Sequence, residues 1–151
     1  MQPAVSEAAG RNRILFLITA ILALAGAIVS AISLQRHYAK SDTTFCDFNQ
    51  NFSCDIVNRS EYSTVADIPV AAIGVAGYVV LFLLSTLWKS RPDTPNRLLA
   101  TALAGLAFAL YLTYIEAYKL MTWCILCLSS QVLIFLIAAL SVAIKLRPAK
   151  S

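Results

Sequence analysis

The sequence predicts an all-α integral membrane protein, a bundle of four transmembrane helices. Three observations predict it: an apolar composition, the gathering of apolar residues into four uncharged runs, and an uneven spread of Lys and Arg between the connections. Of the 151 residues, 59% are hydrophobic and 13% are charged. A soluble domain has about 45–50% apolar and about 25% charged residues. The uncharged runs are Ile14–Leu34, Ile68–Trp88, Leu98–Ile115 and Met121–Ile144. A helix needs about 20 apolar residues to cross a bilayer. A chain this short has too little polar helix surface to cover four wholly apolar helices in water.

The first span, residues 14–34, follows Arg11 and Arg13, as a secretory signal does. Its apolar run is longer than the roughly 7–15 residues of a signal core, so it is expected to stay as an anchor. The remaining spans are expected at about 68–88, 98–116 and 121–144. An outer loop fills 35–67, and short tails are expected at 1–13 (disordered) and 146–151. Ser60 to Val65 reads as a short helix lying on the membrane. Pro92 and Pro95 punctuate the 90–96 connection, since Pro breaks a helix. Spans three and four meet through a few residues around Lys119 to Thr122.

Four spans put both termini on one side. That side carries Arg11, Arg13, Lys89, Arg91, Arg97, Lys145, Arg147 and Lys150, against Arg36, Lys40, Arg59 and Lys119 on the other. Positive charge gathers on the cytoplasmic face, so both termini are expected there. The formal net charge of +4 then reflects topology rather than nucleic-acid binding.

Small residues mark packing faces: Ala23, Ala27 and Ala31 with Gly26 and Ser30 in span one, and Ala100, Ala104 and Ala107 with Gly105 in span three. Tyr111, Tyr114, Tyr118 and Trp123 form an aromatic belt near the outer boundary. His37 reads as a solvated interface residue. Glu116 has two readings, a proton relay at a bilayer boundary and an ion pair with Lys119 at i+3.

All four cysteines fall on the outer side, where disulfides persist: Cys46 and Cys54 in the loop, Cys124 and Cys127 at the head of span four. Cys124 and Cys127 stand at i and i+3, neighbours on a helix. A helix N-terminus favours a thiolate, the form that attacks disulfides. The apolar surroundings put this pair within reach of a lipid-soluble acceptor. Cys46 and Cys54 can pair with each other, or one can reach Cys124. Three other readings stay open: structural disulfides in a non-enzymatic membrane scaffold, a four-cysteine zinc site, and free buried cysteines.

Cys46-x₇-Cys54, then Ser60, then Cys124-x₂-Cys127 opening the last span resembles the vitamin K epoxide reductase family and its bacterial homologues. Val57, Tyr62 and Ser63, then Pro69, Gly74 and Tyr78, then Tyr111, Tyr114 and Glu116 carry the same resemblance over about residues 14–145. Another family of quinone-linked disulfide oxidases has its CxxC in the first outer loop, whereas here it comes last. The resemblance implies a four-helix bundle around a quinone, with the periplasmic or lumenal loop as a cap. It implies that Cys124 and Cys127 form the active-site disulfide, and that Cys46 and Cys54 bring electrons from a thioredoxin-like or DsbA-like partner. Many bacterial relatives carry that partner fused at the C-terminus, so a chain ending at Ser151 is expected to meet it as a separate protein. Vertebrate members carry an Asn early in span two and a Tyr four residues after the second active-site cysteine. The matching positions are Val70 and Gln131, which favours menaquinone or ubiquinone over epoxide reduction. Candidate quinone-contacting residues are Gln131, Ser60, Val70, Tyr78 and Tyr114, with no metal. Gln131 has a second reading as a helix–helix hydrogen bond. The expected place is the bacterial inner membrane.

Overall fold

The computed structural model describes residues 2–38, 64–89, 91 and 93–146. Helix α1 runs Gln2–Tyr38. A two-stranded hairpin follows, β1 Thr64–Val65 and β2 Ile68–Pro69. Then come α2 Val70–Thr86 and α3 Thr94–Ile115. A π-helical turn, Glu116–Leu120, continues α3, and α4 runs Ile125–Leu146. Three helical stretches, Asn12–Gln35, Thr94–Leu120 and Ile125–Leu146, are long and apolar enough to cross a membrane. The expected second span is a shorter apolar helix of 17 residues, about 26 Å at 1.5 Å per residue.

Several expectations are corrected. Residues 2–13, expected as a disordered tail, continue α1. Thr64 and Val65, expected at the end of a short helix, form a strand instead. Val65 pairs with Ile68 and Thr64 with Pro69 across Ala66 and Asp67, whose φ values are 52° and 66°. Two central residues at positive φ suit the right-handed twist of a tight hairpin. Pro95 lies in the first turn of α3, where its missing N–H costs nothing. It starts a helix rather than ending one. The helix expected as the fourth span begins at Ile125, later than expected, and leaves Cys124 outside it.

Helix α1 packs chiefly against α2 and α4, and α3 against α4. The working small residues of α1 are Ala23, Gly26, Ser30 and Ser33, all buried, whereas Ala31 is exposed. A Cβ on Gly26 would meet the Tyr78 ring at 2.2 Å, and one on Gly74 would meet Ser30 Oγ at 2.9 Å. Glycine is therefore what lets α1 and α2 approach. In α3 the packing falls to Ala102, fully buried, and Gly105, against Ile134, while Ala100, Ala104 and Ala107 are exposed.

The bundle is closed at one end and hollow at the other. Phe16, Leu81, Leu84, Leu98, Ile137 and Ile144 fill the half near the α2–α3 connection. That connection is held by Thr94, whose hydroxyl donates to the Trp88 carbonyl. Toward the α3–α4 corner the helices separate around a cavity of about 340 Å³.

Candidate functional site

The site is built at the corner between α3 and α4. The π-turn ends on Met121, held in the left-handed region at φ 50°. Its N–H bonds back to the Glu116 carbonyl, as does the Thr122 N–H at 3.2 Å. A π-turn adds one residue to a helix and is frequent at functional sites. Here it reverses the chain in very few residues and brings Cys124 above the first turn of α4.

Cys124 is the N-cap of that helix. Its carbonyl accepts the Leu128 N–H at 2.9 Å, and its sulfur receives the backbone N–H groups of Leu126 and Cys127. Serine or aspartate oxygens ordinarily fill this role. The Cys124 thiol is shifted below its ordinary value. The hydrogen bond from the Cys127 thiol is the main cause and the two N–H groups add to it, against the raising effects of burial and of the Glu116 charge. A depressed thiol at a helix N-terminus is the reactive kind. Cys124 is fully buried in a small cluster with Leu126, Val29 and Leu120.

Cys127, one turn on, lies on the wall of the cavity. Its thiol is hydrogen-bonded to Cys124 and to the Glu116 carboxyl. Both cysteines are free thiols. Glu116 is 2% exposed and also lines the cavity. Its Oε2 accepts the Cys124 N–H at 3.2 Å. The carboxyl therefore turns inward to the cysteines, and Lys119 is exposed. Of the two readings of Glu116, the ion pair with Lys119 gives way to contact with the Cys124 N–H and the Cys127 thiol.

The cavity draws walls from all four helices. Of the expected ligand contacts, Val70 and Tyr78 line it. Tyr78 is anchored by its hydroxyl, 2.7 Å from the Ser130 carbonyl and 2.8 Å from Ser130 Oγ. Gln131 is not brought to it. Its side-chain oxygen accepts a hydrogen bond from Thr113, and the residue faces a shallow groove with Leu106, Leu110 and Phe135. The helix–helix reading holds for Gln131, because α3 packs on that flank of α4. Tyr114 is also elsewhere. It is 54% exposed and packs on Tyr118, with ring centroids 4.9 Å apart. Ser60, Cys46 and Cys54 lie outside the described residues.

Ser130 escaped the sequence reading. It sits at i+3 from Cys127 and Gln131 at i+4, so both flank the cysteine's face, and only the position of α3 decides which one meets the cavity. Chemically, the site offers an apolar slot edged by a thiol, a carboxyl and two hydroxyl-bearing residues, Tyr78 and Ser130. That combination offers a largely apolar ligand a few polar contacts at one edge. Among the described residues, no group of three or more His, Cys, Asp or Glu could hold a metal ion.

A comparison with known protein families matches residues 17–142 to the vitamin K epoxide reductase family. The match reaches all four helices and includes both cysteines of the corner.

Proposed function

The chain belongs to the vitamin K epoxide reductase family, and from that premise we propose that it oxidises a thioredoxin-like or DsbA-like partner and passes the electrons to a membrane quinone. Membership supports oxidoreductase chemistry in a membrane, linked to quinones. The observation that carries the finer reading is the placement of Cys127 on an apolar cavity beside Cys124, which caps α4. One cysteine faces a lipid-soluble acceptor while the other is primed for exchange with a second thiol.

In this reading the reduced partner attacks a Cys46–Cys54 disulfide and leaves oxidised. A loop thiol, with Cys54 the favoured one, then exchanges with the Cys124–Cys127 disulfide through a mixed disulfide at Cys124. Attack is by thiolate in each exchange. The reduced corner pair gives its electrons to the quinone, which supplies a two-electron acceptor. Val70 and Tyr78 hold the ring, with Ser130 fixing Tyr78. The apolar walls exclude water and slow side reactions. Menaquinone or ubiquinone is the proposed acceptor, because Val70 stands where vertebrate members carry Asn.

We place all four helices across the bilayer. The 17 residues of α2 are within the range of about 17–25 that spans a bilayer. Both termini are then cytoplasmic, and the cysteines face the periplasm of an inner membrane, by the Lys and Arg balance. The product is disulfide bonds in exported proteins.

The test is turnover by purified protein in detergent with a reduced thioredoxin-like protein and a quinone. Quinol should form, and Cys127→Ala should abolish it. Absence of turnover with several quinones by folded protein would leave the cysteines as structural staples of a scaffold.

A further inference from the structure

We propose that Glu116 is a catalytic residue, the group that takes the proton from the Cys127 thiol as the Cys124–Cys127 disulfide closes. The inference rests on the redox reading of the corner pair but concerns a step that reading leaves open. Joining Cys124 and Cys127 removes two electrons, and the S–H proton of Cys127 must leave with them. Cys127 is half-buried and faces an apolar cavity, so an acceptor at hand shortens the proton's route.

The geometry supplies an acceptor. The Glu116 carboxyl is 2% exposed, is hydrogen-bonded to the Cys127 thiol and lines the same cavity. Its other contact is the Cys124 N–H, accepted by Oε2 at 3.2 Å. Capping that N–H needs only an acceptor, and a neutral amide would serve. Burying a carboxyl is costly unless it is paired, and such groups within membranes mark proton paths.

Among the described residues, no other group lining the cavity competes for the proton, and α3 brings it no titratable side chain before Glu116. From α1 it receives Val29, Ser30 and Ser33, none of them titratable. From α2 the titratable group is Tyr78, whose hydroxyl is engaged with Ser130. From α4 comes Cys127 itself, and Lys119 of the π-turn is exposed.

The S–H bond of Cys127 breaks, an O–H bond forms on Glu116, and the Sγ–Sγ bond forms to Cys124 in its thiolate form, the form that the hydrogen bonds to its sulfur favour. The electron pair passes to the oxidant, a quinone. Glu116 then releases its proton to an oxygen of the reduced ring. The second proton comes from water and matches the one Cys124 gave up on ionising.

The experiment follows oxidation of the pre-reduced dithiol in single turnover, for wild type, Glu116→Gln and Glu116→Asp, across pH. Two oxidants are used, a short-chain quinone and a small aromatic disulfide. Glu116→Gln keeps the cap on Cys124 but cannot accept a proton. It should slow disulfide closure on the order of 10²-fold, as loss of a general base does, and erase the acid limb of the pH profile. Glu116→Asp should restore part of the rate and the limb. Quinone affinity, read by tryptophan fluorescence, should stay within about two-fold in Glu116→Gln. The disulfide arm separates the two readings, because the Cys127 proton must leave whichever oxidant is used. Wild type that ignores quinones refutes the proposed function, and Glu116 is then judged on the disulfide alone. A wild-type rate and pH profile in Glu116→Gln would overturn the inference, as would a slowing fully explained by lost quinone affinity. If Glu116→Gln does not fold, Glu116→Asp against Glu116→Asn, matched in size, decides the same question.

Discussion

Gly26 and Tyr78 share one volume, and this pairing sets how closely α1 and α2 meet. Tyr78 is pinned from the other side by Ser130, so its ring cannot swing away without breaking two hydrogen bonds. Gly26→Ala should therefore destabilise the bundle by about 1–3 kcal/mol, the usual cost of overpacking. Most of that cost should vanish in the Tyr78→Ala background, as expected for residues in direct contact. Thermal unfolding in detergent of the two single variants and the double variant checks both statements. At this scale the sequence was informative where chemistry is local. The spacing of Cys124 and Cys127 alone implied adjacent thiols at a helix head. It could not separate Ser130 from Gln131, which lie on either side of the cysteine face until α3 claims one of them.

The π-turn is the element on which the site depends. In an unbroken α-helix Glu116 and Lys119 would share a face, and the ion pair expected from their spacing would follow. The extra residue of the π-turn changes that facing and directs Glu116 to the cysteines. No periodicity in the sequence announces such a turn, which is why the pairing with Lys119 looked plausible. Met121 closes the turn at φ 50° and is 75% exposed. A non-glycine residue there costs about 1–2 kcal/mol. Met121→Gly should raise stability by up to about 1 kcal/mol, after the entropy of the unfolded chain offsets part of the gain. Met121→Val should lower stability, because a β-branched side chain fits this region worst. Unfolding midpoints for the three proteins test the order Gly, Met, Val. The same limit of sequence reading applies to the small-residue stripes. The spacing of four in α1 and α3 named helix faces, yet Ala31 and Ala104 turned out exposed, since the facing helix chooses a slightly different stripe.

Over the whole molecule, three of the four apolar runs lie in helices long and apolar enough to cross a membrane, and the second lies in a shorter one, because a bilayer sets a minimum length and disfavours charge along it. The cavity was not legible as a volume. It arises where α2 and α3 diverge above a core closed by Leu81, Leu98 and Ile137, and its size follows from helix placement rather than from any motif. Cys46, Cys54 and Ser60 lie outside the described residues, so the outer relay remains the proposal of the sequence and its family. The central claim is that the corner pair reduces a quinone held between the helices. It is tested most directly by mixing the pre-reduced protein with a limiting quinone under anaerobic conditions. Quinol is measured by absorbance, and the cysteine pairs are mapped by mass spectrometry after alkylation. The account predicts one Cys124–Cys127 disulfide for each quinol formed, and none of either in Cys127→Ala. Quinone that stays oxidised, or quinol formed equally well by Cys127→Ala, would contradict it.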